Sequence, residues 1–270
     1  MGFRYPDDPA SPLRWAQLLD RASADAAIPL EAVEDAGWIL RFSPSGFNRY
    51  SSVWPRAARG DDPVGARLER AEAFYVQRNQ PPRLVLSPAS VPVGIGAELT
   101  ARRWGLWTTV DVLCRRSPEP GAIEFGSGVG MTIAVAETAD DDWLAAWAEA
   151  DHRIADNPIE SRRMASMVAT HNGVVFVSAR DDRGATIGIA KGVIGAAPVG
   201  LGVFNVWVRP DQRRHGVARM MMDALHREAA ERGLTRTWLQ VEQENSKAQR
   251  LYSSLGYRSC YSYQCWERSA

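Results

Sequence analysis

Between residues 201 and 257 the apolar positions change their period more than once. Phe204, Val206 and Val208 alternate, as in a strand with one buried face. Pro210 ends that run. From Gly216 the apolar residues fall at Val217, Met220, Met221, Ala224 and Leu225, a spacing that predicts an amphipathic helix running to Arg232-Gly233. Trp238-Leu239-Gln240-Val241 then predicts a buried strand. Ala248, Leu251, Tyr252 and Leu255 predict a short helix, with Asn245 as its N-cap and Gly256 as its C′ stop.

The same reading carries to the rest of the chain. Leu13 to about Ala36 patterns as helix broken at Pro29, followed by a strand at Trp38–Phe42 and another at Tyr50–Trp54. Asp61-Asp62-Pro63 opens a helix reaching about Arg78, since acids and proline suit a first turn. Leu84–Leu86 is a short strand; a helix ending near Arg103 follows, and then a strand from Trp107 to Cys114. Residues 116–130 hold two prolines and glycines at 121, 126, 128 and 130, the composition of a linker. Beyond it, Met131–Ala136, Val174–Ala179 and Ile187–Ile194 read as strands, and Asp141–Asp151 and Pro158–Thr170 as helices. Ala97-Glu98-Leu99 with Trp104-Gly105-Leu106 matches Ala248 with Leu255-Gly256-Tyr257 at constant offset, which suggests an internal repeat. Thr100 stands where Tyr252 stands, and no arginine-rich glycine loop precedes the first helix of that half.

Arg213-Arg214-His215-Gly216-Val217-Ala218-Arg219 joins a strand to a helix N-terminus. Such a junction points unpaired N–H groups and the positive end of a helix dipole at one place, which is an anion site. Gly216 and Ala218 keep its surface low. A solvated basic helix start is the plain alternative.

Arg213, Gly216 and Ala218, placed after a strand, and then the order strand, Asn245, Ala248, Leu251-Tyr252, Leu255-Gly256-Tyr257, together resemble the GCN5-related N-acetyltransferases (GNATs) over roughly residues 130–267. The resemblance implies an α+β fold in which a mixed sheet has splayed central strands. It implies a division into an incomplete acetyltransferase-like domain without a cofactor loop (1–116), a linker (117–130) and a catalytic domain (131–270), as in tandem acetyltransferases. It implies acetyl-CoA as co-substrate and no metal. Val206, Trp207 and Val208 would meet the thioester and pantetheine, residues 213–219 the diphosphate, and Asn245 and Ala248 the pantetheine region. Tyr252 would be the general acid for the thiolate. As residues alone, Tyr252 is also a core aromatic and Asn245 also a helix cap. The position that carries a glutamate in ribosomal-protein acetyltransferases of the family is Gln240, which accepts no proton; Glu242, two residues on, is the candidate base, with Glu160 and Glu137 as alternatives.

Composition narrows the classes. The 270 residues carry 32 basic and 32 acidic side chains, so there is no broad field for nucleic acid or for a membrane surface. No apolar run is of membrane length. Cys114, Cys260 and Cys265 have no metal-ligand spacing, and the odd count argues against a disulfide framework, so a reducing cytoplasm is the expected location. Trp38, Trp54, Trp104, Trp143, Trp147 and Trp238 are expected in cores, while Trp207, out of phase with Val206 and Val208, is a candidate lining of the acceptor channel together with Glu160. Asp140, Asp141, Asp142, Glu149, Asp151, Asp156 and Glu160 would give that channel an acidic wall, diluted by Arg162 and Arg163. The acceptor is therefore read as a small amine in preference to a protein, on a monomer or homodimer. A protein N-terminal or lysine acetyltransferase and a non-catalytic acyl-CoA sensor are the other readings.

Overall fold

The computed structural model describes residues 11–44, 46–117, 130–150, 173–196 and 198–268. They form two compact units, neither contiguous in sequence: one takes its described residues from 1–112, 241–246 and 259–270, the other from 113–240 and 247–258.

In the first unit the elements are α1 (Ser11–Asp25), β1 (Glu31–Asp35), β2 (Trp38–Phe42), β3 (Val53–Pro55), α2 (Val64–Val76), β4 (Arg83–Leu86), α3 (Ile95–Ala101) and most of β5 (Gly105–Arg116). The last strand of the chain, β11 (Arg258–Glu267), pairs antiparallel with β4, Gln264 opposite Leu86 and Glu267 opposite Arg83. The sheet runs β1-β2-β3-β4-β11, with β3 and β4 parallel. Trp38, Leu40, Leu68, Tyr75, Leu84 and Leu99 fill its core.

The helix expected to reach Ala36 ends at Asp25, and residues 31–35 form β1 instead. The reason is the dipeptide Ala36-Gly37. Both residues have positive φ (49° and 89°), the geometry of a two-residue hairpin turn, which pairs Asp35 with Trp38. A Cβ on Gly37 would lie 2.5 Å from the Ala57 carbonyl oxygen, so only glycine closes the hairpin there.

The second unit contains β6 (Met131–Ala136), α4 (Asp141–Ala150), β7 (Val174–Asp181), β8 (Thr186–Ile194), β9 (Leu201–Val208), α5 (Val217–Glu231), β10 (Arg236–Glu242, as far as Gln240) and all but the first residue of α6 (Ser246–Ser254). The strand order is β10-β9-β8-β7-β6. β6 to β9 meander antiparallel, and α5 carries the chain across to β10, parallel to β9. Of the apolar stripe read from sequence, α5 buries Val217, Met221, Ala224 and Leu225 while Met220 is half-buried, and Ala229 is buried one turn on. It lies close to β8 because Gly188 and Gly192 present no side chains: a Cβ on Gly188 would sit 3.0 Å from Val217 and Met221, and one on Gly192 3.0 Å from Leu201 and Leu225. The six tryptophans assigned to cores are all at most 6% exposed.

The succession hairpin, strand, helix, parallel strand, helix, strand occurs twice along the chain, as β1-β2-β3-α2-β4-α3-β5 and β7-β8-β9-α5-β10-α6-β11. Cys114 and Cys260 are each half-cystines, and Cys265 is a buried free thiol. The odd count argues against a disulfide framework; two of the three cysteines are nonetheless half-cystines, with one thiol left over.

Candidate functional site

β9 and β10 pair only over Leu201–Val203 and Thr237–Leu239. Past Val203 the alternation of β9 does not persist, because a bulge intervenes. Ile189 faces Trp207 and Lys191 faces Phe204, so Asn205 and Val206 together oppose Ala190. Asn205 takes φ 54°, a conformation that asparagine tolerates and β-branched residues do not. Asn205 is exposed and Val206, Trp207 and Val208 are half-buried, so the expected in-and-out alternation of Phe204, Val206 and Val208 is replaced by a strand end turned from its parallel partner.

The chain then makes one 3₁₀ turn (Pro210–Gln212), in which Arg209 clamps Asp211 with bonds of 2.8 and 3.1 Å. Arg214 (φ 69°) and Gly216 (φ 83°) are left-handed. The first hydrogen bond of α5 runs from Met220 N–H to Gly216 O at 3.1 Å, and no side chain caps the helix. The amides of Arg214 to Arg219 therefore find no backbone acceptor among the described residues. Beside them Arg213, Arg214, His215 and Arg219 are exposed; Arg213 Nε donates to Val208 O and Arg219 Nη2 to Ser254 Oγ. Open amides, a helix dipole and guanidiniums with no carboxylate partner among the described residues act in the same direction, toward a bound anion. A Cβ on Gly216 would meet nothing within 4 Å, so glycine is needed there for its φ and for the low floor it gives the anion.

Tyr252 lies on the buried side of α6, 8% exposed, its ring edge-on to Tyr257 with centroids 5.9 Å apart. Its hydroxyl has no hydrogen-bond partner among the described residues, and burial pushes its pKa up to about 12. Below it lies a polar chain that the sequence reading missed. Arg115 Nη1 approaches His226 Nδ1 at 2.5 Å, His226 Nε2 meets Tyr257 Oη at 3.0 Å, and Tyr257 Oη meets Thr237 Oγ1 at 2.8 Å. His226 is fully buried. Burial is the main cause that lowers its pKa; Asp223 opposes the shift and Arg115 adds to it. His226 falls on the apolar stripe of α5, one residue after Leu225, which is the signal that marks it as internal.

Glu242 and Asn245 belong to the first unit, with Gln240 just inside the second. Glu242 is exposed at the end of β10, its carbonyl taking the Asn245 N–H at 3.0 Å in the turn before α6. Asn245 is exposed and Ala248 half-buried. Gln243 holds this turn: its amide donates to Thr109 O at 2.9 Å and its side chain to Asp111 Oδ1 at 2.7 Å. Glu160, with Asp151, Asp156, Arg162, Arg163 and the helix expected at Pro158–Thr170, lies outside the described residues. The acidic wall is weaker than its composition suggests, since Asp140 and Asp142 are both paired with Arg180, at 2.8 and 2.9 Å. Among the described residues no group of His, Cys, Asp and Glu could hold a metal ion, and no helix is long and apolar enough to cross a membrane.

A strand end bent from its parallel neighbour, followed by an open amide run at a helix start, is the arrangement implied by the sequence resemblance. A family described as probable histone acetyltransferase Rv0428c, C-terminal, matches residues 16–266. The chain belongs to this family. Among curated proteins it is 39% identical over 77 residues to the [ribosomal protein bS18]-alanine N-acetyltransferase of Salmonella typhimurium, covering 28% of this chain and 49% of that one. The Escherichia coli K12 counterpart is 40% identical over 55 residues, with 37% of its length covered. The chain thus spans about half or less of the curated relatives it matches. Among solved structures, a GCN5-related N-acetyltransferase from Kribbella flavida aligns over 96% of both chains with TM-score 0.67 at 16% identity. A tandem GNAT protein from the clavulanic acid biosynthesis pathway aligns over 75% of this chain and 69% of its own, TM-score 0.53 at 15% identity. The described residues thus have the α+β fold of the GCN5-related N-acetyltransferase structures.

Proposed function

We propose that this acetyltransferase moves an acetyl group from acetyl-CoA to a primary amine on a small molecule, in one ternary complex, with the cofactor held by residues of the 131–270 region. The observation that carries this reading is the unclaimed amide run of residues 214–219 at the head of α5. Those amides with Arg213, Arg214, His215 and Arg219 suit a diphosphate. The released edge of β9, Val206–Val208, suits an acyl-pantetheine arm, and Asn245 and Ala248, at the turn into α6, are its further proposed contacts. The loop between β3 and α2 is unlike this one. There Arg67, 1% exposed, collects the carbonyls of Asp62, Ala36, Arg59 and Gly60, so carbonyls face inward in place of free amides. That supports a 1–116 half without the cofactor's diphosphate site.

In the reaction the amine must be neutral to attack, and Glu242 is the exposed carboxylate at the end of β10 that would accept its proton. A C–N bond forms, the C–S bond breaks, and one proton moves in net from nitrogen to sulfur. Tyr252 serves the sulfur. A phenol at about 12 opposite a thiol near 8.5 releases its proton uphill by about 5 kcal/mol. Tyr252 therefore lowers the barrier by donating a hydrogen bond to the developing thiolate and exchanges its proton only as the amine's proton arrives. Trp207, at the bulged end of β9, and Glu160 would meet the acceptor.

The test is thiol release from acetyl-CoA with a panel of polyamines, aminoglycosides and short peptides. Tyr252→Phe should lower kcat by about 10²–10³ and leave the coenzyme A Kd within twofold. Unchanged kcat removes Tyr252 from the mechanism. The curated relatives named for a ribosomal-protein alanine favour a second reading, transfer to a protein N-terminus. Faster turnover of an N-terminal alanine peptide than of any small amine would establish that reading instead.

A further inference from the structure

The first unit has its own divergence of parallel strands. β3 and β4 pair at a single position, Val53 with Leu84, and then separate. The gap between them is a cavity of about 240 Å³, walled by Trp54, Arg56, Ser87 and Ser90 together with Asp20 and Arg21 of α1. That is room for roughly eight waters. Its walls are fixed: Val91 N–H donates to Pro55 O at 3.0 Å, and Ser87 to Ser90 form a closed turn in which Ser87 N–H donates to Ser90 Oγ at 2.9 Å.

Two guanidiniums, Arg21 and Arg56, and one carboxylate, Asp20, line this cavity. β3 ends in Val53-Trp54-Pro55-Arg56 and β9 in Val206-Trp207-Val208-Arg209, the same Val-Trp-x-Arg at the same point of the repeated succession. Arg209 is closed on Asp211 by two bonds. Arg56 has no carboxylate in hydrogen-bond contact among the described residues. One of its N–H groups, on Nη2, meets Asp20 O at 2.7 Å, and its guanidinium lies 5.3 Å from the centre of the Trp54 ring. The rest of the fork is available. Asp20 acts on Arg56 through space, but its carboxylate oxygens are engaged elsewhere: one accepts the Ser87 hydroxyl at 2.5 Å and the other the Tyr261 hydroxyl at 2.7 Å. The second cation, Arg21, is exposed and only 3.9 Å from Asp25.

We propose that this cavity is a second binding site, for a small organic carboxylate that Arg56 takes through its free fork while Trp54, Pro55 and Val85 cover the apolar body. A diphosphate is the wrong guest, since Asp61 and Asp62 precede α2 and Arg67 turns the neighbouring carbonyls inward. The first half of the chain thus keeps the acyl end of a strand cleft and gives up the nucleotide end, and its site operates independently of acetyl transfer.

The test uses the full chain and ¹⁹F NMR, with 4-fluorobenzoate as the probe and 4-fluorobenzyl alcohol as its uncharged match, at constant ionic strength. Benzoate should broaden and the alcohol should not. Arg56→Gln should weaken the benzoate Kd by about tenfold or more, the loss of one charge-assisted contact, and Arg56→Lys should weaken it less. Ser90→Phe, which fills the cavity from its turn, should abolish broadening and serves if Arg56→Gln lowers the melting temperature. Saturating acetyl-CoA should leave the benzoate signal unchanged. Equal broadening by the alcohol, equal affinity in both variants, displacement by acetyl-CoA, or no broadening at all would each overturn the proposal.

Discussion

Gly216 lets the anion-site assignment be weighed against simple backbone strain. It sits at φ 83°, and an added Cβ there meets nothing within 4 Å. Gly184, in the turn between β7 and β8, sits at φ 80° with the same empty surroundings. Alanine at either position therefore pays the same left-handed penalty, about 1–2 kcal/mol, with no steric term. At about 2–4 °C per kcal/mol, each variant should melt roughly 2–8 °C below the parent. Only Gly216→Ala changes the floor of the amide run. If the alanine relaxes toward negative φ, it turns one amide of residues 214–219 away from the anion. Loss of one charge-assisted bond is about 1.5–3 kcal/mol, or about 10–150-fold in Kd for coenzyme A. The assay is calorimetric titration of coenzyme A into the three proteins, with denaturant melts alongside. The reasoning is refuted if Gly216→Ala binds coenzyme A as tightly as the parent, or if Gly184→Ala weakens binding to the same degree.

Other outcomes follow from packing and titration. Tyr252 ionises near 10 when unfolded and at about 12 when buried, so the native state holds a proton that the unfolded chain has lost, and stability falls across pH 10 to 12. Tyr252→Phe should make the pH slope of the unfolding free energy in that window shallower by about one proton; an unchanged slope would place the phenol in solvent. His226 has its pKa lowered from 6.5 by burial, so below that pH the unfolded chain binds a proton the native chain refuses, and stability drops as pH falls. His226→Gln should flatten this acid-side loss in urea melts at stepped pH. Gly192→Val would press a side chain against Leu201 and Leu225. It should destabilise by about 1–3 kcal/mol or more through overpacking, and a variant that melts like the parent would mean that α5 lies farther from β8.

What could be read in advance was whatever short-range pattern encodes. The stripe from Val217 to Leu225 and the Asn245 to Tyr257 run fix α5 and α6, because period and caps are local properties. The bulge at Asn205 is set by its partner, since Ile189 and Lys191 straddle it from the neighbouring strand and nothing in residues 204–208 announces the extra residue. β1 is hidden for a similar reason: Glu31–Asp35 has acids at three of its five positions, and only the Ala36-Gly37 turn with its long-range contact to Ala57 makes it a strand. The neutralising role of Arg180 on Asp140 and Asp142 bridges some forty residues, which composition cannot weigh. The half-cystines at 114 and 260 likewise depend on a distant partner.

The pairing of β11 with β4 has a consequence for biosynthesis. Residues 83–86 leave the ribosome well before the strand that covers their open edge, residues 264–267. Until then a nascent chain carries a bare hydrogen-bonding rim beside a finished hairpin, the kind of edge that recruits other strands. A translation product halted near residue 116 should consequently be a client for chaperones or an aggregate, and closure of that edge waits for the synthesis of residue 267.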